Sequence, residues 1–267
     1  MPLPAFEKGH LKGVFPFVRV GAGSRRLAIL PGLNDALQAV DAAPRFWARF
    51  CRGLDSDRTI YLVSRPRSLS PGTTTRDMAA MYAELFSDEL GPCDVLGVSM
   101  GGFIAQHLAV EHPKLIDRLV LAVTGARAEP VKLDLYRTWL DWARAGRWRD
   151  AFVDMMEKTY SGCSESCDVS WMQASPKSVI RTELDESDYI VSIEACLEHD
   201  SREVACRIDR PTLVLGGTKD VLMSAAASRD LSDRIPGVQL QLVEGAGHAA
   251  FETHRGICAR ALTGFLT

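Results

Sequence analysis

The sequence predicts an α/β fold: a mostly parallel sheet, helices on both of its faces, and an all-helical insertion. Three observations predict it. Short β-rich runs alternate with helical patterns, as strands joined by crossover helices do. Several of those runs are almost continuously apolar, as strands covered on both faces should be. One long stretch, 127–207, carries helical patterns and no convincing strand.

Taken in order, strands are expected at 14–20, 27–30, 59–63, 93–98, 119–123, 212–215 and 239–243. Helical patterns fall between them at 44–54, 75–90, 100–112, 225–234 and 255–265. Within 127–207 the segments 136–145 and 148–160 read as amphipathic helices, with further helical stretches up to Cys206. Four of the five tryptophans lie there: Trp139, Trp142, Trp148 and Trp171. The expected division is therefore a core domain, 1–126 and 208–267, with a helical cap, 127–207, inserted in it. A helical insert between strands of a parallel sheet most simply covers the sheet's C-terminal edge, where ligands bind in open α/β sheets.

Composition narrows the class of protein. The chain has 267 residues, 46% hydrophobic and 24% charged, enough to bury a large core. A formal net charge of −3 gives no sign of a nucleic-acid or anionic-membrane surface. No apolar run is long enough to span a bilayer, and the N-terminus lacks a secretory pattern. Seven cysteines, an odd count without an export signal, fit reduced thiols in the cytoplasm. Cys163 and Cys167 are four apart, but no second Cys or His pair at metal spacing accompanies them.

The expected strand 93–98 runs into "GVSMGG" and then into an apolar-faced helix. A sharp strand-to-helix elbow needs small residues around its tip, and Gly97 and Gly101 flank Ser99 there. A serine hydroxyl at such a tip is a nucleophile only if a base takes its proton. Of six histidines, His248 is the best placed, following the last strand in the small-residue loop "VEGAGHAAFE". His254 is its one serious rival. The base needs an acceptor behind it to fix its tautomer. Asp220 lies just past the strand 212–215, at the same sheet edge as Ser99 and His248, whereas Asp209 and Asp117 precede their strands.

In chain order this gives Ser99, Asp220 and His248, each after a strand, with a helical insert between the first two. The sequence here resembles the α/β-hydrolase family, in "GVSMGGFIAQHLAVEHP", "IDRLVLA", "RPTLVLGGTKD" and "EGAGHAAFE". "LVLAVTGARA" followed by a helical insert is similar to the family's enol-lactonase and small-esterase branch. The resemblance implies an oxyanion hole built from two backbone N–H groups. One belongs to Met100, the residue after the nucleophile. The other is implied to belong to Leu33, in "LPGLND", where Pro31-Gly32-Leu33 replaces the family's usual His-Gly-x. Asn34 and Asp35 are candidates for the pocket wall, although N-capping the stretch "ALQAV" is the commoner role for such residues.

A triad and hole of this kind serve hydrolysis of an ester, thioester or lactone through an acyl-enzyme, with no cofactor and no metal. A serine at position 99 disfavours the family branches that use an aspartate nucleophile. Carbon–carbon bond hydrolysis with the same three residues stays open, as does a ligand-sensing protein that retains them. The insert's aromatics, Trp139 and Trp142 among them, with Met155, Met156 and Met172, point to a mainly apolar pocket. Packing within the insert is the ordinary role for any single one of these. Residues 127–200 hold nine basic and fifteen acidic residues, net −6, which counts against strongly anionic substrates. The expected partner is a small-molecule substrate. Monomer and homodimer both remain open.

Overall fold

The structure is a computed structural model that describes residues 3–54, 57–161 and 183–267. Cys163, Cys167, Trp171 and Met172 lie outside the described residues. Among those described, eight strands form one sheet: β1 Phe6–Leu11, β2 Phe15–Val20, β3 Arg25–Leu30, β4 Arg58–Val63, β5 Cys93–Val98, β6 Ile116–Ala122, β7 Thr212–Gly217 and β8 Gln239–Val243. Their order is β1-β2-β4-β3-β5-β6-β7-β8. β1 and β2 run antiparallel to their neighbours, and every pair from β4 to β8 is parallel.

The apolar runs form central strands because both of their faces are covered. Along β3, Leu27 and Ile29 face one core, while Ala28 and Leu30 face the other. Helices α2 (Thr75–Leu85), α3 (Met100–Glu111) and α7 (Ala225–Arg234) pack on the face of Leu30, Val95, Leu121 and Val214. Helices α1 (Pro44–Phe50) and α8 (Arg255–Phe265) cover the face of Ile29, Leu96, Val120 and Leu215. Each fully buried Leu, Ile or Val contributes about 1.5–3 kcal/mol. That burial, shared between two cores, holds the central strands in register.

Between β6 and β7 the described elements are helical: α4 (Leu133–Arg144), α5 (Trp148–Thr159) and α6 (Glu183–Glu198), with short 3₁₀ turns. None of the described helices is long and apolar enough to cross a membrane.

One strand has no counterpart in the sequence reading. β1, "FEKGHL", is mostly exposed and pairs only with β2. Its charged residues suit an edge strand and hide the apolar alternation by which strands are recognised. His10, expected ahead of the first strand, therefore sits within it.

The pairing register sets up the site. Leu30 pairs with Gly97, Val98 with Ala122, Ala122 with Leu215, and Gly217 with Val243. The C-terminal ends of β3, β5, β6, β7 and β8 thus lie side by side, and the loops that leave them share one edge.

Candidate active site

Ser99 occupies the turn between β5 and α3 with φ +53° and ψ −118°, a backbone conformation that costs a non-glycine residue about 1–3 kcal/mol. The surroundings hold it there. The Ser99 N–H donates to the Ala122 carbonyl at 2.9 Å. The Ser99 carbonyl accepts from the Gly102 N–H at 2.8 Å and from the Thr124 hydroxyl at 2.9 Å. The glycines are needed for space. A Cβ on Gly97 would lie 2.6 Å from the Gly101 carbonyl oxygen, and one on Gly101 would lie 2.0 Å from that of Leu30.

Asp220 follows β7 with its side chain fully buried. Its Oδ1 accepts from the backbone N–H groups of Leu222 (2.8 Å) and Met223 (2.9 Å), leaving Oδ2 to face His248 Nδ1 at 2.8 Å. On the far side of the ring, His248 Nε2 lies 3.0 Å from Ser99 Oγ. A carboxylate has no proton to give, so Nδ1 carries the hydrogen and Nε2 is free to accept from the serine. The loop bearing His248 is tied to the insert, because the Ala249 N–H donates to the Thr159 carbonyl at the end of α5 at 3.0 Å.

The turn after β3 comes up beside the serine. A Cβ on Gly32 would lie 3.3 Å from Ser99 Cβ. Among the described residues, neither the Leu33 nor the Met100 N–H is engaged in another hydrogen bond. Met100 is the first residue of α3, so the positive end of the helix adds to its N–H.

A family model described as alpha/beta hydrolase fold matches residues 54–255. The chain belongs to the α/β-hydrolase family. A curated relative of this hydrolase is a pimeloyl-(acyl-carrier protein) methyl ester esterase of Chromobacterium violaceum, 27% identical over 81% of this chain and 87% of that one. Another is a poly(3-hydroxyalkanoate) depolymerase of Ectopseudomonas oleovorans, 30% identical over 67% of this chain and 62% of that one. Among solved structures, an alpha/beta hydrolase enzyme from a deep-sea metagenome matches with a TM-score of 0.82 at 17% identity, covering 97% of this chain and 96% of that one. The enol-lactonase from Burkholderia xenovorans matches with a TM-score of 0.76 at 20% identity, covering 97% and 99%. At such identities the two structures share the fold.

Above Ser99 and His248 the hydrolase holds a cavity of about 120 Å³. Its walls are largely apolar and aromatic, including Trp47, Phe50, Tyr136, Trp139, Met156 and Phe251. Asn34, Leu33, Met155 and Tyr160 also reach it. Trp139 is held upright because its indole N–H donates to Asp154 at 2.7 Å. Among the described residues one charged side chain lines the cavity, that of Glu252. Its low-dielectric surroundings push the Glu252 carboxyl up, while a hydrogen bond from its own backbone and, more weakly, His248 act in the opposite direction.

Two expectations need correction. Trp142 is not on the cavity wall; it packs partly buried against the core under the Arg147 guanidinium, 5.1 Å from its ring centre. Asp35 is not a helix cap. The 3₁₀ turn Leu33–Ala36 begins at Gly32 without a side-chain cap, and the Asp35 carboxylate is buried beneath it, accepting from the Ser64 hydroxyl at 2.6 Å. His254 points elsewhere, with Nδ1 2.9 Å from Thr253 Oγ1. Trp47, Phe50 and Glu252 escaped the sequence reading. The first two sit on a short helix with no chemical motif. Glu252 lies four residues past His248 in the same stretch "VEGAGHAAFE", and that proximity is the signal by which it could have been found.

Proposed function

We propose that this hydrolase cleaves a carboxylic ester, thioester or lactone of a small, mainly apolar substrate through an acyl-enzyme on Ser99. The observation that carries this reading is the continuous hydrogen-bonded line Ser99 Oγ, His248 Nε2, His248 Nδ1, Asp220 Oδ2, with steps of 3.0 and 2.8 Å. Ser99 Oγ attacks the substrate carbonyl and its proton passes to His248 Nε2. The oxyanion so formed meets the N–H groups of Met100 and Leu33, which are placed before the charge develops. The leaving alcohol or thiol takes the proton from Nε2. Water then attacks the acyl carbon, its proton moves to Nε2, and that proton returns to Ser99 as the acid departs. Asp220 stabilises the imidazolium in both halves of the cycle.

The apolar wall favours aliphatic or aromatic acyl groups. Glu252 sets a sign, because an anionic substrate would bring a second negative charge into a poorly solvated cavity. Esterase and depolymerase relatives support an ester over the vinylogous diketone of carbon–carbon hydrolysis. The test is a turnover screen of p-nitrophenyl esters of rising chain length, lactones and aryl diketones, with Ser99→Ala as the blank. An acyl-enzyme gives a burst of up to one equivalent followed by steady turnover. A burst with no steady phase on any ester or lactone would instead favour a ligand sensor.

A further inference from the structure

We propose that Arg65 is a positioning residue for the oxyanion hole, fixing the direction of the Leu33 N–H by holding the carbonyls behind it. The proposal rests on the acyl-transfer reading above. Arg65 follows β4, and its side chain is almost completely buried, as is that of Asp35. Nη1 donates to the carbonyls of Pro31 (3.3 Å) and Gly32 (3.2 Å), and Nη2 to those of Gly32 (3.2 Å) and Leu33 (3.4 Å). One guanidinium therefore collects three successive carbonyls. In a trans peptide the C=O and N–H point in opposite directions. A cation behind the turn that draws in the Gly32 carbonyl therefore sends the Leu33 N–H, on the same peptide plane, away from itself.

The Gly32 carbonyl is held from a third side by the Asp35 N–H at 3.2 Å. This plane has few alternative settings, which is what preorganisation of a donor requires. The cation is itself placed by Asp35, whose Oδ2 lies 3.6 Å from Nη2 and accepts the Arg65 backbone N–H at 3.2 Å. Asp35 Oδ1 is held in turn by Ser64. A planar fork with donors on two nitrogens can span three carbonyls, and a lysine ammonium cannot reproduce that spread. The hole thus has one donor set by the α3 terminus and one set by a buried ion pair.

The test compares wild type, Arg65→Met and Arg65→Lys with a p-nitrophenyl ester that the wild type turns over. A second readout is the affinity for phenylboronic acid, whose tetrahedral adduct on a serine places an oxygen in the hole. Loss of one oxyanion donor costs about 10²–10³ in kcat. Arg65→Met is expected to lose about 10² in kcat with KM within about threefold, and boronate affinity should fall in step. Arg65→Lys should recover part of both. Circular dichroism and the melting curve identify the folded fraction; if Arg65→Met does not fold, Arg65→Lys carries the same criteria. A folded variant with wild-type kcat would overturn the proposal, and so would one that loses kcat while binding boronate at full strength. Ser99→Ala separates the two readings: if it keeps activity, the acyl-enzyme reading fails before the Arg65 question arises.

Discussion

Asp220 and His248 are 28 residues apart in the chain, yet Oδ2 and Nδ1 meet at 2.8 Å with the carboxylate side chain fully buried. The other carboxylate oxygen is already held by two backbone N–H groups. The acid therefore has one orientation, and so has the imidazole it faces. Asp220→Asn should keep the fold and lower kcat by about 10⁴, because an amide can present its NH₂ to Nδ1 and reverse the tautomer. Unchanged circular dichroism with a small kcat loss would show that the acid does not set the base.

Ser99→Ala should lower kcat by about 10⁴ or more. A fluorophosphonate should label Ser99 in the wild type, read by peptide mass. Labelling at another residue, or activity in the variant, would remove Ser99 from the mechanism.

Two glycine variants should separate fold from site. Gly101→Ala places a Cβ 2.0 Å from a backbone oxygen, so the elbow cannot close and the protein should lose several kcal/mol, roughly the upper range for single substitutions. Gly32→Ala meets Ser99 Cβ at 3.3 Å with an ordinary φ of −73°. It should fold, shift the turn by tenths of an ångström and lose about tenfold in kcat, given that about 1 Å of misplacement costs 10². Thermal melts and kcat measured side by side check both.

Glu252→Gln should change selection more than rate. A like charge across a partly desolvated cavity costs about 1–2 kcal/mol at an effective dielectric near 20, or about tenfold in kcat/KM. The variant should gain that factor on an ester with a carboxylate-ended acyl chain and stay level on its neutral analogue. Equal changes on both substrates would place Glu252 outside recognition.

His199 makes stability depend on pH. It is buried, stacked on Phe103 with ring centres 4.1 Å apart, with Nδ1 2.9 Å from Thr75 Oγ1 and Nε2 without a partner among the described residues. Burial lowers its pKa from 6.5 to about 3. Between these values the unfolded chain binds the proton and the folded one does not, so stability falls as pH falls through that window, by about 1.4 kcal/mol per unit. His199→Gln should flatten this part of a Tm-against-pH curve. An unchanged slope would assign the acid sensitivity to other groups.

Most of the sheet and the three residues Ser99, Asp220 and His248 were legible because each follows a strand with a plain sequence pattern, almost fully buried in β5 and β7 and alternating in the half-exposed edge strand β8. β1 was not legible, because an edge strand with charged residues carries no alternation. Asp35 was misread for a related reason. Short-range rules give an aspartate near a turn to the nearest helix, and only the fold shows that Ser64 and Arg65 approach it from β4. Trp142 and Trp139 sit three apart on α4, and sequence alone does not say which of them turns inward. Asp154, on the next helix, identifies the inward one by accepting from Trp139.

The 3.0 Å bond from the Ala249 N–H to the Thr159 carbonyl has a consequence for remodelling. It fastens the helices that line the cavity to the residue next to His248, so those helices and the imidazole are not independent parts. A different insert grafted between β6 and β7 would have to present a carbonyl at that same point. Without it the imidazole loses its neighbour's tether, and a change meant to alter the substrate would loosen the chemistry as well.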